Sequence, residues 1–152
     1  PGGWAWTDLP GGVPDCDDTP GAMLAVLALT QVGLAKHDHF EAHQLRALEA
    51  GLRWALELQN RDGGFPTFCR GWGKLPLDRS GADLTAHALR AVSSACSADI
   101  GDYETRRWLA DPGYRRGIAY LDREQRPDGS WLPLWFGNQH AAEIENLTCG
   151  TS

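Results

Sequence analysis

Gln59-Asn60-Arg61-Asp62-Gly63-Gly64-Phe65 and Gln125-Arg126-Pro127-Asp128-Gly129-Ser130-Trp131 carry one pattern, Q-x-x-D-G-x-aromatic. The end of this pattern occurs once more near the start of the chain, as Gly2-Gly3-Trp4. The three aromatic residues lie 61 and 66 residues apart. A period of this length accommodates two helices and a loop, so it predicts a fold built from repeated helical hairpins.

The residues between the first two copies of the pattern predict one such hairpin. Residues 21–35 are apolar on nearly all sides, which is typical of a buried inner helix. Asp18 or Thr19 is the expected N-cap, and Pro20 suits the first turn. Residues 40–58 alternate charged and apolar side chains at helical spacing, which predicts an amphipathic outer helix that ends at the second copy of the pattern.

The residues between the second and third copies predict another hairpin. Ser80 and Asp83 are spaced as a capping box, which predicts an inner helix that continues to about Ser97. Residues 103–126 predict an outer helix, broken near Asp111-Pro112-Gly113.

Alternating inner and outer helices of this kind predict an all-α fold, an α/α toroid in which the inner helices surround a cavity. Two hairpins form only part of such a ring, and the apolar face of one repeat is buried by its neighbours. We therefore expect residues 1–152 to be a partial α/α-barrel domain, a fragment of a larger protein.

The charge and composition of the chain argue against several classes of binding partner. The chain of 152 residues has 14 basic and 20 acidic side chains, a net charge of −6 and no basic block. Nucleic-acid binding is therefore not expected, and a polyanionic substrate is disfavoured. No signal segment opens the chain, and no apolar run approaches the ~20 residues of a membrane-spanning helix.

Metal chemistry is not expected either. The four cysteines are scattered without a C-x-x-C pair, which argues against a zinc site. His37, His39 and His43 lie at the charged start of an outer helix, where solvated side chains are the expected interpretation.

Three carboxylates in four residues, Asp15-Cys16-Asp17-Asp18, form what we call the acid motif. Acidic residues are favoured at the start of a helix, so capping alone explains one or two of them. Three exceed that need. Carboxylates held this close titrate as a coupled unit, and a retained proton makes one of them a general acid.

Asp83 and His87 add a second polar pair. They are four residues apart, so both side chains lie on one face of the second inner helix, which in a toroid can point at the same cavity as Asp17. A local Asp–His pair is the alternative interpretation. A protonated His87 beside the acid motif would favour the ionised conjugate base and so strengthen the acid.

With these residues the sequence resembles squalene-hopene cyclases and related class II terpene cyclases over essentially its whole length. The resemblance rests on the two Q-x-x-D-G-x-aromatic stretches and on three further motifs: Gly3-Trp4-Ala5-Trp6, Pro14-Asp15-Cys16-Asp17-Asp18-Thr19 and Asp83-Leu84-Thr85-Ala86-His87. It implies a triterpene cyclase that protonates a terminal alkene of squalene and guides ring closure through carbocations.

The resemblance also implies the site residues. Asp17 is the proton donor, Asp15 and Asp18 hold and polarise it, and His87 hydrogen-bonds the acids directly or through water. Supporting positions are Asp83, Asp78 and Thr19. Aromatic faces stabilise carbocations, and three aromatic residues occupy such positions: Trp6, Phe68 and Trp135. Phe65 and Trp131 belong to the repeat and are expected to be structural clamps outside the site.

The family also implies no cofactor and an uncharged isoprenoid substrate. The complete protein would be a peripheral membrane protein on the cytoplasmic side, completed by the remaining toroid repeats. Phe68 stands where the family has a tyrosine, and Cys149 replaces another, so substrate and product stay open. The alternatives are a class II diterpene or meroterpenoid cyclase, with Mg²⁺ for a diphosphate substrate, and a non-catalytic repeat module. The isolated fragment is expected to be inactive.

Overall fold

The computed structural model describes residues 2–31, 38–71, 78–100, 103 and 105–134, and these residues are mainly helical. The helices are α1 (Asp18–Gln31), α2 (Asp38–Leu58), α3 (Ala82–Ser97) and α4 (Asp111–Glu124), with a π-helical segment (Thr105–Ala110) before α4. Two short strands, β1 (Phe65–Pro66) and β2 (Ser80–Gly81), pair antiparallel.

The helices form the two predicted hairpins. α1 packs against α2, α3 packs against α4, and the two inner helices α1 and α3 pack against each other. This confirms the predicted all-α fold and the alternation of inner and outer helices expected in part of an α/α toroid.

The main core lies where α1, α2 and α3 meet. Its fully buried side chains include Met23 from α1, Leu48 and Leu52 from α2, and Val92 from α3. α1 is not enclosed on every side by the described residues, because Leu29 keeps 44% of its surface exposed.

The repeated pattern forms the same turn twice. The side-chain amide of Gln59 donates to the carbonyl of Gly63 at 2.8 Å, and that of Gln125 donates to Gly129 at 2.9 Å. Both glycines have positive φ, 94° and 86°, a conformation in which a Cβ is strained. Gln59 also donates to the carbonyl of Gly113 at 2.8 Å, which ties the first turn to α4.

One sequence prediction is corrected here. Ser80 does not cap α3: it lies in β2, and its hydroxyl donates to Asp62 Oδ1 at 2.7 Å, so the capping box is not formed. The break predicted near residues 111–113 coincides with a change of helix type, because the π-helical segment ends at Ala110 and α4 begins at Asp111. The backbone stays helical at Ala110, and Pro112 lies in the first turn of α4, where a proline is well tolerated.

None of the helices in the described residues is long and apolar enough to cross a membrane.

Candidate active site

The acid motif starts α1, and Asp15 is its cap. The Asp15 Oδ1 atom accepts the backbone N–H groups of Asp17 at 3.0 Å and Asp18 at 2.6 Å, while the Asp15 carbonyl accepts the N–H of Thr19 at 3.2 Å. A cap residue accepts the otherwise unsatisfied N–H groups two and three positions later. The expected caps Asp18 and Thr19 are therefore wrong, because the helical turn begins three residues earlier.

The chain places the residues of this turn in different surroundings. Asp15, Cys16 and Thr19 are 4%, 0% and 0% exposed. Asp17 is exposed and Asp18 is half-buried. The turn therefore directs Cys16 and Thr19 into the protein and leaves the middle acid accessible.

Burial shifts the pKa values of the two ionisable side chains of this turn that face the protein interior. It raises the pKa of Asp15 to about 6; the hydrogen bond from the Asp18 N–H opposes this shift, and the negative charge of Asp18 adds to it. Burial also raises the pKa of the Cys16 thiol far above its ordinary range, and the charges of Asp15 and Asp17 raise it further. Cys16 is therefore a neutral thiol, whereas Asp15 changes charge in mildly acidic solution.

α3 brings His87 to the same turn of α1. Its Nε2 atom lies 3.6 Å from the position that a Cβ would occupy at Gly21, so the imidazole covers the glycine three residues after Asp18. His87 is half-buried. The structure thus places the histidine and the acid motif on adjoining helices, next to each other.

Asp83 lies one turn before His87, at the start of α3. Its Oδ1 atom is buried and has no hydrogen-bond partner among the described residues. The same atom lies 2.7 Å from the position of a Cβ at Gly81. The carboxylate therefore sits over the strand β2 that leads into the helix.

The other predicted positions are spread over the loops. Asp78 accepts the N–H of Gly71 at 3.2 Å with its carboxylate and lines a polar cavity of about 640 Å³ between the first turn and α4. Phe68 is half-buried. Trp6 is 76% exposed among the described residues. Trp135 lies outside the described residues.

Phe65, expected to be a structural clamp outside the site, packs against Cys16 of the acid motif. Its ring is fully buried in a cluster with Cys16 and Ala88. The carbonyl of Thr67, two residues later, accepts the N–H of Cys16 at 3.2 Å. The carbonyl of Trp4, the aromatic residue of the first copy, accepts the N–H of Asp15 at 3.2 Å, so the acid motif is bonded to the chain beside both aromatic residues.

The described part of the chain contains no group of three or more histidine, cysteine or acidic side chains arranged to hold a metal ion. The acid motif and His87 themselves offer carboxyl groups and an imidazole, which can donate a proton, accept a proton and stabilise nearby positive charge.

Comparison with known proteins identifies the family. Residues 1–141 match the sequence profile described as the squalene-hopene cyclase C-terminal domain. The chain is 31% identical to the squalene-hopene cyclase of Alicyclobacillus acidocaldarius, with 91% of this chain and 21% of that protein covered. It is 30% identical to the squalene-hopene cyclase of Zymomonas mobilis, covering 91% of this chain and 20% of that protein.

A third relative has a different name and activity. The chain is 29% identical to the sporulenol synthase of Bacillus subtilis, over 89% of this chain and 20% of that protein. The chain thus spans about a fifth of the length of these relatives. No solved structure matches it significantly. The match over residues 1–141 shows that the chain belongs to the squalene-hopene cyclase family of terpene cyclases.

Proposed function

We propose that this chain is the proton-donating part of a longer class II terpene cyclase that acts on squalene or a similar uncharged polyene. The observation that carries the proposal is the meeting of the acid motif with His87 at the first turn of α1. Asp17, the exposed acid of the motif, is the proposed donor.

The proposed step is the protonation of the terminal alkene. The Asp17 O–H bond breaks as the alkene π pair forms a C–H bond, which leaves a tertiary carbocation and a carboxylate. An ordinary carboxylic acid protonates an alkene with great difficulty, so the acid must be held in place and polarised. Asp15 supports this by fixing the backbone N–H groups of Asp17 and Asp18.

His87 and Asp18 are the proposed partners of the donor. A protonated imidazole beside the motif stabilises the carboxylate that remains after proton transfer. Asp83, Asp78 and Thr19 are proposed to support the arrangement, and Trp6, Phe68 and Trp135 to stabilise carbocations with their aromatic faces. Peripheral association of the complete protein with the cytoplasmic face of a membrane, from which it would draw the substrate, belongs to the same proposal, as does activity without a cofactor.

Product analysis of the complete protein tests this function. We expect squalene in detergent to yield a cyclic isomer or hydrated product, detected by gas chromatography and mass spectrometry. Asp17→Asn should lower turnover by at least about 10³-fold, because the amide that replaces the proposed donor cannot supply this proton. The matched control is Asp122→Asn, an exposed aspartate on the outer helix α4, which should retain activity.

Two outcomes would change the proposed donor or the proposed substrate. Full activity of Asp17→Asn would remove Asp17 from the role of donor. Absence of any squalene product from the folded protein would exclude squalene, and the same assay with a prenyl diphosphate and Mg²⁺, or with a prenylated aromatic, would then test the diterpene and meroterpenoid alternatives.

A further inference from the structure

Two buried threonines make the same hydrogen bond in successive repeats. The N–H of Trp4 donates to Thr19 Oγ1 at 2.9 Å, and the N–H of Phe65 donates to Thr85 Oγ1 at 2.9 Å. Both threonines are 0% exposed. Each hydroxyl donates its own proton to a carbonyl, Thr19 to Trp4 at 3.2 Å and Thr85 to Gly81 at 2.6 Å. In each repeat the hydroxyl therefore fixes the backbone of the motif aromatic to the start of an inner helix.

The spacing between Phe65 and Thr85 occurs again later in the sequence. Thr85 follows Phe65 by 20 residues, and Thr151 follows Trp131 by the same interval. Thr19 follows Trp4 by 15 residues, so a threonine occurs 15 to 20 residues after each aromatic residue of the repeat.

The hydrogen bond between Phe65 and Thr85 has an additional consequence, because residues 65–67 are bonded at both ends. At one end, the N–H of Phe65 is held by Thr85 of α3. At the other end, the carbonyl of Thr67 accepts the N–H of Cys16, in the middle of the acid motif, at 3.2 Å. The buried ring of Phe65 fills the space between Cys16 and Ala88. This short segment thus joins the acid motif to α3 through one backbone hydrogen bond with Cys16 and one hydrogen bond to the side-chain hydroxyl of Thr85.

His87 lies close to that connection. It stands two residues after Thr85 in α3, and its Nε2 lies 3.6 Å from the Cβ position of Gly21 in α1. If the start of α3 shifts along α1, His87 shifts with it relative to the acid motif.

We propose that Thr85 is a positioning residue that sets the register of His87 against the acid motif through residues 65–67. This inference rests on the proposed function, in which His87 and the acid motif act together. Thr85 acts through its hydroxyl alone. Without it, the N–H of Phe65 is buried and unsatisfied, which a folded protein relieves by local rearrangement.

The test uses the complete cyclase and two substitutions of Thr85. Thr85→Val keeps the shape and removes the hydroxyl, whereas Thr85→Ser keeps the hydroxyl. A small misplacement of catalytic groups costs up to about 100-fold in rate, so we expect Thr85→Val to lower kcat on squalene by about 10- to 100-fold, with KM changed less than about twofold. Thr85→Ser should stay near the wild-type kcat.

Thr105→Val is the matched control. Thr105 is 2% exposed and accepts a hydrogen bond from Arg53 Nη2 at 2.6 Å in the outer layer, away from the acid motif. Loss of the Thr105 hydroxyl should lower thermal stability without a comparable fall in kcat. An equal fall in kcat for Thr105→Val and Thr85→Val would overturn the proposal, since general destabilisation would then explain both.

Hydrogen exchange of the complete protein gives a readout that does not need turnover. In Thr85→Val, peptides covering residues 65–67 and residues 15–18 should both exchange faster than in wild type. Faster exchange confined to the start of α3 would overturn the proposal. If squalene is not converted by the wild type but both peptides respond, the proposed function fails while the positioning role stands. If Thr85→Val does not fold, Thr85→Ala removes the same hydroxyl and serves in its place.

Discussion

Asp15 combines two roles with opposite effects on its charge. The two backbone N–H groups that its Oδ1 atom accepts favour the ionised carboxylate, whereas its burial favours the protonated acid. Burial is the larger effect, and the pKa is raised from 3.8 to about 6. A carboxyl group that holds α1 in place is therefore also one that carries a proton in mildly acidic solution.

The raised pKa of Asp15 predicts a pH-dependent contribution to stability. An acid that binds its proton more tightly in the folded state stabilises the fold fully below about pH 4, and this contribution is lost as the pH rises through about 6. Asp15→Asn keeps the cap and cannot ionise. We expect its stability relative to wild type to rise by about 1–3 kcal/mol between pH 4 and pH 6.5.

Thermal unfolding of the complete protein over this pH range measures the difference. Asp122→Asn, at an exposed position on α4, should show no such trend. A stability difference between Asp15→Asn and wild type that does not vary with pH would show that Asp15 ionises freely in the folded protein.

For single residues, the sequence predicted the cluster of acids but not which of them is buried and caps α1. Three adjacent carboxylates predict coupled titration whatever their orientation. Which one is buried depends on which side chain accepts the free N–H groups, and Asp15, Asp18 and Thr19 are all acceptable caps by residue type. The backbone of this turn is also bonded to Trp4 and Thr67, and these contacts are not local in sequence.

At the scale of elements, the two copies of the turn have the same internal bonds but different surroundings. Gln59 is 7% exposed, donates to Gly63 and Gly113, and accepts a bond from Arg116 at 2.5 Å. Gln125 is exposed and donates to Gly129. The first turn therefore joins two hairpins, whereas the bond of the second glutamine lies within its own turn.

This difference predicts unequal costs for the same substitution. Gln59→Leu leaves the carbonyls of Gly63 and Gly113 and the guanidinium of Arg116 without their partner, so we expect it to lower the free energy of unfolding by about 2–4 kcal/mol. Gln125→Leu should cost less than about 1 kcal/mol, because water replaces the lost bond. Urea unfolding of the two variants measures both values, and equal costs would contradict the account.

The hairpins themselves were predictable because helical periodicity and the repeat agree over long stretches. Residues 40–58 were predicted as an outer helix and lie in α2, Asp38–Leu58. The starts of the inner helices were predicted less well. Ser80 has the residue type and spacing of a cap, but pairing of β1 with β2 and the bond to Asp62 occupy it, and neither contact is local in sequence.

At the scale of the whole molecule, the chain corresponds to about a fifth of its curated relatives, and it is proposed to act within a larger ring. Apolar side chains of both hairpins remain exposed in the described residues, including Leu29, Leu45 and Ile118. Repeats of this kind are stabilised by their neighbours. We expect the isolated chain to give a helical circular dichroism spectrum with a broad thermal transition and no cyclase activity. A sharp transition that is independent of concentration would contradict this expectation.

The central claim is that the complete protein begins cyclisation by donating a proton from Asp17, and turnover of squalene in D₂O tests it most directly. Carboxyl protons exchange with solvent, so the donated atom is then deuterium. Mass spectrometry of the cyclic product should show one new carbon-bound deuterium per molecule, and Asp17→Asn should give no product. A cyclic product formed without carbon-bound deuterium, or formed equally well by Asp17→Asn, would contradict the account.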